Sequence, residues 1–77
     1  MERRNERLIS SFATALRRRR KAAGLSQEEL AFKTDLSTSY ISLLETKNRQ
    51  PTLTVLAAIC EQLDVSMGDF ITDIEST

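Results

Sequence analysis

Between Ser26 and Glu45 the stretch SQEELAFKTDLSTSYISLLE places two helix-forming patterns back to back, with only a short turn between them. A connection that short, closed by Leu36, cannot return two helices antiparallel; it makes them cross at a steep angle. Ser26 opens the first pattern: its hydroxyl can accept from the Glu29 N–H while the Glu29 carboxylate reaches back, a capping box. Leu30 and Ala31 point inward, and Ala31 is small where the second helix must come close. That second helix starts at Ser37, another N-cap type, and runs to about Thr46.

The rest of the chain reads as three more helices, giving an all-α fold of five. Ile9, Phe12, Ala13, Leu16, Arg20 and Ala23 recur at three- and four-residue spacing, one face of a helix from Asn5 to Ala23 that Gly24 can end by taking positive φ. After the polar loop KNRQ, Pro51 and a Thr52 cap introduce a fourth helix with Val55, Leu56, Ile59, Cys60 and Leu63 as its apolar positions. Asp64 and Val65 form a turn. Ser66 caps a fifth helix carrying Met67, Phe70, Ile71 and Ile74. With 77 residues the whole, 1–77, is one small domain. No apolar run is long enough to span a bilayer, and none follows the N-terminus as a secretory signal would. The single Cys60 can pair only with another chain. These features together point to a reducing, cytoplasmic setting.

The second helix of the pair has two unlike faces. Ile41 and Leu44, one turn apart, should dock on Leu30, Leu36 and the first helix. At about 100° per residue, the opposite face holds Ser39, Ser42, Leu43 and Thr46, with Thr38 exposed in the first turn. A merely solvated helix would favour Lys, Glu, Gln and Arg there. Short side chains let a helix backbone approach another surface, hydroxyls can bond base edges, and a leucine or threonine methyl can meet a thymine methyl. That suits a major groove. The alternative is that Ser and Thr are simply tolerated on a solvated face and that Leu43 is one exposed leucine among the many that proteins carry.

Net charge is zero, but its distribution is not even. Residues 1–25 carry eight bases against two acids, a balance of +6. Residues 51–77 carry five acids and no base, a balance of −5. One end is therefore suited to a polyanion and the other avoids it. In the run RRRRK, Arg17 to Lys21, side chains point all round a helix, so two or three at most can face one duplex; Arg17 is the candidate for a phosphate. Arg3, Arg4 and Arg7 belong to a basic N-terminal end, with 1–4 read as a flexible arm that can reach phosphates or the minor groove.

GLSQEELA (Gly24 to Ala31), LSTSYISLLE (Leu36 to Glu45) and TKNRQPTL (Thr46 to Leu53) resemble the helix-turn-helix of the phage repressor/Cro type, the XRE family, with 26–46 as the motif. Within it the chain looks most like the controller proteins of restriction–modification systems. The resemblance implies a five-helix repressor-like domain that binds double-stranded DNA and regulates transcription. It implies that Thr38 and Ser39, followed by Ser42 and Leu43, read bases. It implies that Gln27, Tyr40, Lys47, Asn48 and Arg49 meet the phosphate backbone, Gln27 from a helix N-terminus suited to an anion. Tyr40 could equally be an aromatic packed beside Ile41. Arg20 and Glu45 match a partly buried ion pair that fixes an angle more than it stabilises. Two departures stand out. Asp35 occupies a turn position usually held by glycine, with positive φ that Asp tolerates better than most residues. The base-reading positions also lack Gln, Arg or Asn, so shape, water or the N-terminal arm would share in specificity.

Met67, Phe70, Ile71 and Ile74 exceed what a terminal helix needs to cover a small core. The resemblance makes 66–74 the dimerisation helix, so that two copies read a palindromic operator. Other readings stay open: an antitoxin that also regulates itself, or a helical interaction module without DNA binding. Catalysis finds no support. Histidine is absent, the one cysteine lies on an apolar helix face, and there is no phosphate-cradling glycine loop. No metal or cofactor is expected.

Overall fold

The computed structural model describes residues 3–77; the first two positions of the expected basic arm lie outside the described residues. Among those described there are five helices and no strand: α1 Glu6–Ala22, α2 Gln27–Thr34, α3 Thr38–Glu45, α4 Leu53–Gln62 and α5 Met67–Glu75. Each starts where a short polar side chain takes up a free N–H of the first turn. The hydroxyls of Ser26, Ser37, Thr52 and Ser66 accept from the N–H three residues on at 3.0–3.1 Å. Asn5 does the same for Leu8 at 3.0 Å, so it caps α1 and is not its first residue. At Ser26 the box is complete: the Ser26 N–H donates to Glu29 Oε1 at 2.9 Å. The Ser26 N–H first, and the Ser26 side chain next, hold the Glu29 carboxyl below its ordinary value.

The first four helices end in one shared way. A residue with positive φ follows the helix, and the next N–H bonds back to a carbonyl five residues earlier. The bonds are Leu25 to Arg20 (3.1 Å), Leu36 to Ala31 (2.9 Å), Asn48 to Leu43 (3.0 Å) and Val65 to Cys60 (3.0 Å). The positive-φ residues are Gly24 (73°), Asp35 (59°), Lys47 (68°) and Asp64 (55°). Leu25, Leu36 and Val65 then turn back onto the core, which sets where the next helix begins. The expected strain at Asp35 is thus present, and it recurs at Lys47 and Asp64.

Every helix sends a fully buried side chain to a common centre: Leu16, Leu30, Ile41 with Leu44, Ile59, and Phe70. The helices pack in a ring: α1 on α3 and α5, α2 on α3 and α4, and α4 on α5. The Phe12 and Phe70 rings meet edge to face at 5.9 Å, a favourable aromatic geometry. Being covered from two sides widens the buried stripe of α1, which is why Ala15 is buried although the single-face pattern passed it over. Ala23, expected inward, is exposed because it lies past the last turn, where the chain leaves the helix. On α5, Phe70 and Ile74 belong to the protomer's own core, whereas Met67 and Ile71 are 37% and 40% exposed. Phe70 and Ile74 are therefore not surface residues, because closing a core this small takes both of them.

Replacing Asp35 or Asp64 by glycine relieves the left-handed strain. Each change should raise stability in urea denaturation by about 1 kcal/mol, whereas Asp64→Val should lower it.

Candidate nucleic-acid interface

α3 presents its two faces as the residue count requires. Ile41 and Leu44 are fully buried, Thr38 and Ser39 are exposed, and Ser42 and Leu43 are half-buried on the rim. The hydroxyls of Thr38, Ser39 and Ser42 make no hydrogen bond to the described residues, so they remain free to bond elsewhere. The Tyr40 ring is half-buried and packs against the core.

The angle of α3 is held by a three-way polar knot. Arg20 donates from Nε to Glu45 Oε2 at 2.6 Å and from Nη2 to Oε1 at 2.9 Å. Its Nη1 donates to the Leu25 carbonyl at 2.8 Å. Gln27 Nε2 donates to Glu45 Oε1 at 3.1 Å. The side chains of Arg20 and Glu45 are only 9% and 3% exposed. One carboxylate thus joins α1, the start of α2 and the end of α3. Burial pushes the Glu45 carboxyl up, but the hydrogen bonds from Arg20 and Gln27, with the Arg20 charge, outweigh it and leave the group below its ordinary value. Gln27, expected on a phosphate, spends one amide hydrogen on this carboxylate and keeps the other.

The segment after α3 is closed locally. Thr46 Oγ1 donates to the Ser42 carbonyl at 2.9 Å, and the Asn48 amide donates to Thr46 Oγ1 at 2.8 Å. Asn48 therefore helps to finish the helix, and Lys47, Asn48 and Arg49 all stand exposed. The N-terminal segment lies against this loop. Arg4 Nη2 donates to the Lys47 carbonyl and Gln50 Nε2 to the Arg3 carbonyl, each at 3.3 Å. Nothing in the sequence signals these contacts, which join residues more than forty positions apart. Arg17 sits one turn before Arg20 on the rim of an open concavity that Lys47 also lines. A second unforeseen contact is the ion pair of Arg19 Nε with Asp73 Oδ2 at 2.6 Å, which ties α1 to α5.

The helix-turn-helix family profile matches residues 16–70. This chain belongs to the helix-turn-helix family. It is 43% identical over 61 residues to the HTH-type transcriptional regulator PrpR of Mycobacterium tuberculosis, covering 79% of this chain. It spans 13% of that regulator's length. Among solved structures, the clp gene regulator ClgR of Corynebacterium glutamicum superposes with a TM-score of 0.86 at 29% identity, covering 90% of this chain and 73% of that one. The wild-type restriction–modification controller protein C.Esp1396I gives 0.83 at 32% identity, covering 90% and 91%. The XRE-type resemblance and the five-helix fold expected from the sequence are thus borne out. The motif is a DNA-binding helix-turn-helix of transcriptional regulators, and the family is one of regulators, not enzymes.

Because folding holds the Glu45 carboxyl below the ordinary value of 4.5, the stability it contributes is present above that pH and is lost as pH falls through the folded value. Glu45→Gln leaves the Arg20 charge buried and unpaired. It should cost about 3 kcal/mol at neutral pH and flatten the acid limb of a stability-versus-pH curve.

Proposed function

We propose that this chain is a transcriptional regulator that binds a palindromic site in double-stranded DNA as a homodimer, one α3 per half-site in the major groove. The observation that carries the reading is the outer face of α3. Thr38, Ser39 and Ser42 offer unpaired hydroxyls beside Leu43, on a helix whose other face is locked by Ile41, Leu44 and the Glu45 knot. Short side chains admit close approach, and hydroxyls and methyls match base edges and thymine methyls. Lys47 and Arg49 flank that face, and the free amide hydrogen of Gln27 lies at the N-terminus of α2. These three, with Arg17, supply contacts to the phosphates on either side. Tyr40 serves the core first, and Asn48 acts by holding the loop.

Dimerisation is supported by α5. Met67 and Ile71 are exposed, and Ile71 borders an apolar groove that Leu8 (51% exposed) and Pro51 also line. Two such surfaces meeting about a two-fold axis would bury apolar area and set half-sites about one helical turn apart. The neighbours, a clp gene regulator and a restriction–modification controller protein, support the regulatory part of the reading. Among the described residues no helix is long and apolar enough to cross a membrane.

Selection from a randomised duplex pool should enrich a palindrome. Its affinity should fall steeply as salt rises. Ile71→Glu should leave the fold intact by circular dichroism, abolish the dimer in sedimentation and weaken operator binding. A pool from which nothing is enriched, even at low salt, would sink the reading.

A further inference from the structure

The run RRRRK divides its charges among three destinations. Arg20 turns into the protein and is spent on Glu45; Arg19 turns toward α5 and is spent on Asp73. Arg17, Arg18 and Lys21 pair with no carboxylate among the described residues. They stand with Thr14 and Lys47 around one open concavity of about 420 Å³ between α1 and the end of α3. Thr14, Arg17 or Arg18, and Lys21 are spaced by three and four residues, so they share one side of α1. The only carboxylate on that wall, Glu45, is 3% exposed, and both its oxygens are taken. Four cations thus converge on a hollow with no free counter-charge. Such a grouping is self-repulsive in the isolated protein and relieved by an anion.

We infer that this hollow is a second phosphate track: Arg18 and Lys21, beside Arg17 and Lys47, hold the DNA backbone where it continues past the loop after α3. The inference rests on the DNA-binding reading above. Lys47 belongs to both places, since it lines the hollow and opens the loop that flanks α3, so one strand can run from one to the other. The Thr14 hydroxyl on the wall can donate to a phosphate oxygen. These contacts carry no base information. They raise affinity for any sequence, which matters in a chain with zero net charge.

The test is the double variant Arg18→Gln/Lys21→Gln, with Arg18→Lys/Lys21→Arg as the charge-conserving partner. Both positions are exposed and unpaired, so circular dichroism and thermal midpoints should match the parent chain. The Gln variant should select the same duplex sequence from the pool, bind it roughly tenfold or more weakly at 0.15 M salt, and show a shallower salt dependence. The slope of log K against log salt should fall by up to about 0.9 per lost phosphate contact. The charge-conserving variant should keep the parent affinity. An unchanged slope and affinity in the Gln variant, with the parent still binding its operator, would overturn the track and leave the operator reading standing. A parent chain that selects no duplex would overturn both.

Discussion

A guanidinium and a carboxylate, both nearly withdrawn from water, meet where three helices converge. Arg20 from α1 grips both oxygens of Glu45 at the end of α3, and Gln27 at the start of α2 adds a third bond. A buried pair of this kind contributes little net stability, because desolvation offsets most of the attraction. Its worth is directional. A forked Arg–carboxylate contact fixes two planes relative to each other, and here those planes belong to α1 and to α3, the helix with the free polar face. To the apolar packing of Ile41 and Leu44, which is not directional, the knot at the C-terminal end of α3 adds a directional constraint.

The remaining surface follows from that fixed angle. With Ile41 and Leu44 inward, the hydroxyls of Thr38, Ser39 and Ser42 must face out. With Arg20 committed inward and Arg19 drawn to Asp73, the remaining cations of the RRRRK run, Arg17, Arg18 and Lys21, are left on the side that carries Lys47. The acidic C-terminal third supplies Asp73 to hold α5 on α1. The charge asymmetry of the sequence is thus partly structural glue and partly an anion-attracting side.

The helix pair, its caps and the inward positions of α3 were legible because they depend on local rules: spacing, a hydroxyl before the first turn, a short connection. The Arg20–Glu45 pair was legible only through the family resemblance, and it stands at hydrogen-bond distance. What stayed hidden is long-range. Arg19–Asp73 spans 54 positions, and nothing in RRRRK distinguishes Arg19 from its neighbours until α5 is placed. Arg4 on the Lys47 carbonyl and Gln50 on the Arg3 carbonyl are of the same kind. Tyr40 and Asn48 show a different limit. Each has polar atoms suited to a phosphate, and each also has a contact within the protein that the sequence did not indicate, the Tyr40 ring with the core and the Asn48 amide with the Thr46 hydroxyl. On α5 an apolar count could not say which two of four residues close the core; only the packing against Phe12 decides for Phe70.

The central claim is that the outer face of α3, oriented by the Glu45 knot, is the surface that meets DNA. Backbone amide chemical shifts of the 77-residue chain, followed as a selected duplex is titrated in, test it most directly. The largest changes should fall at Thr38 to Leu43, with Gln27, Lys47 and Arg49 next and the middle of α4 still. Shifts centred on α4 or on the outer side of α2, with Thr38 to Leu43 unmoved, would contradict it.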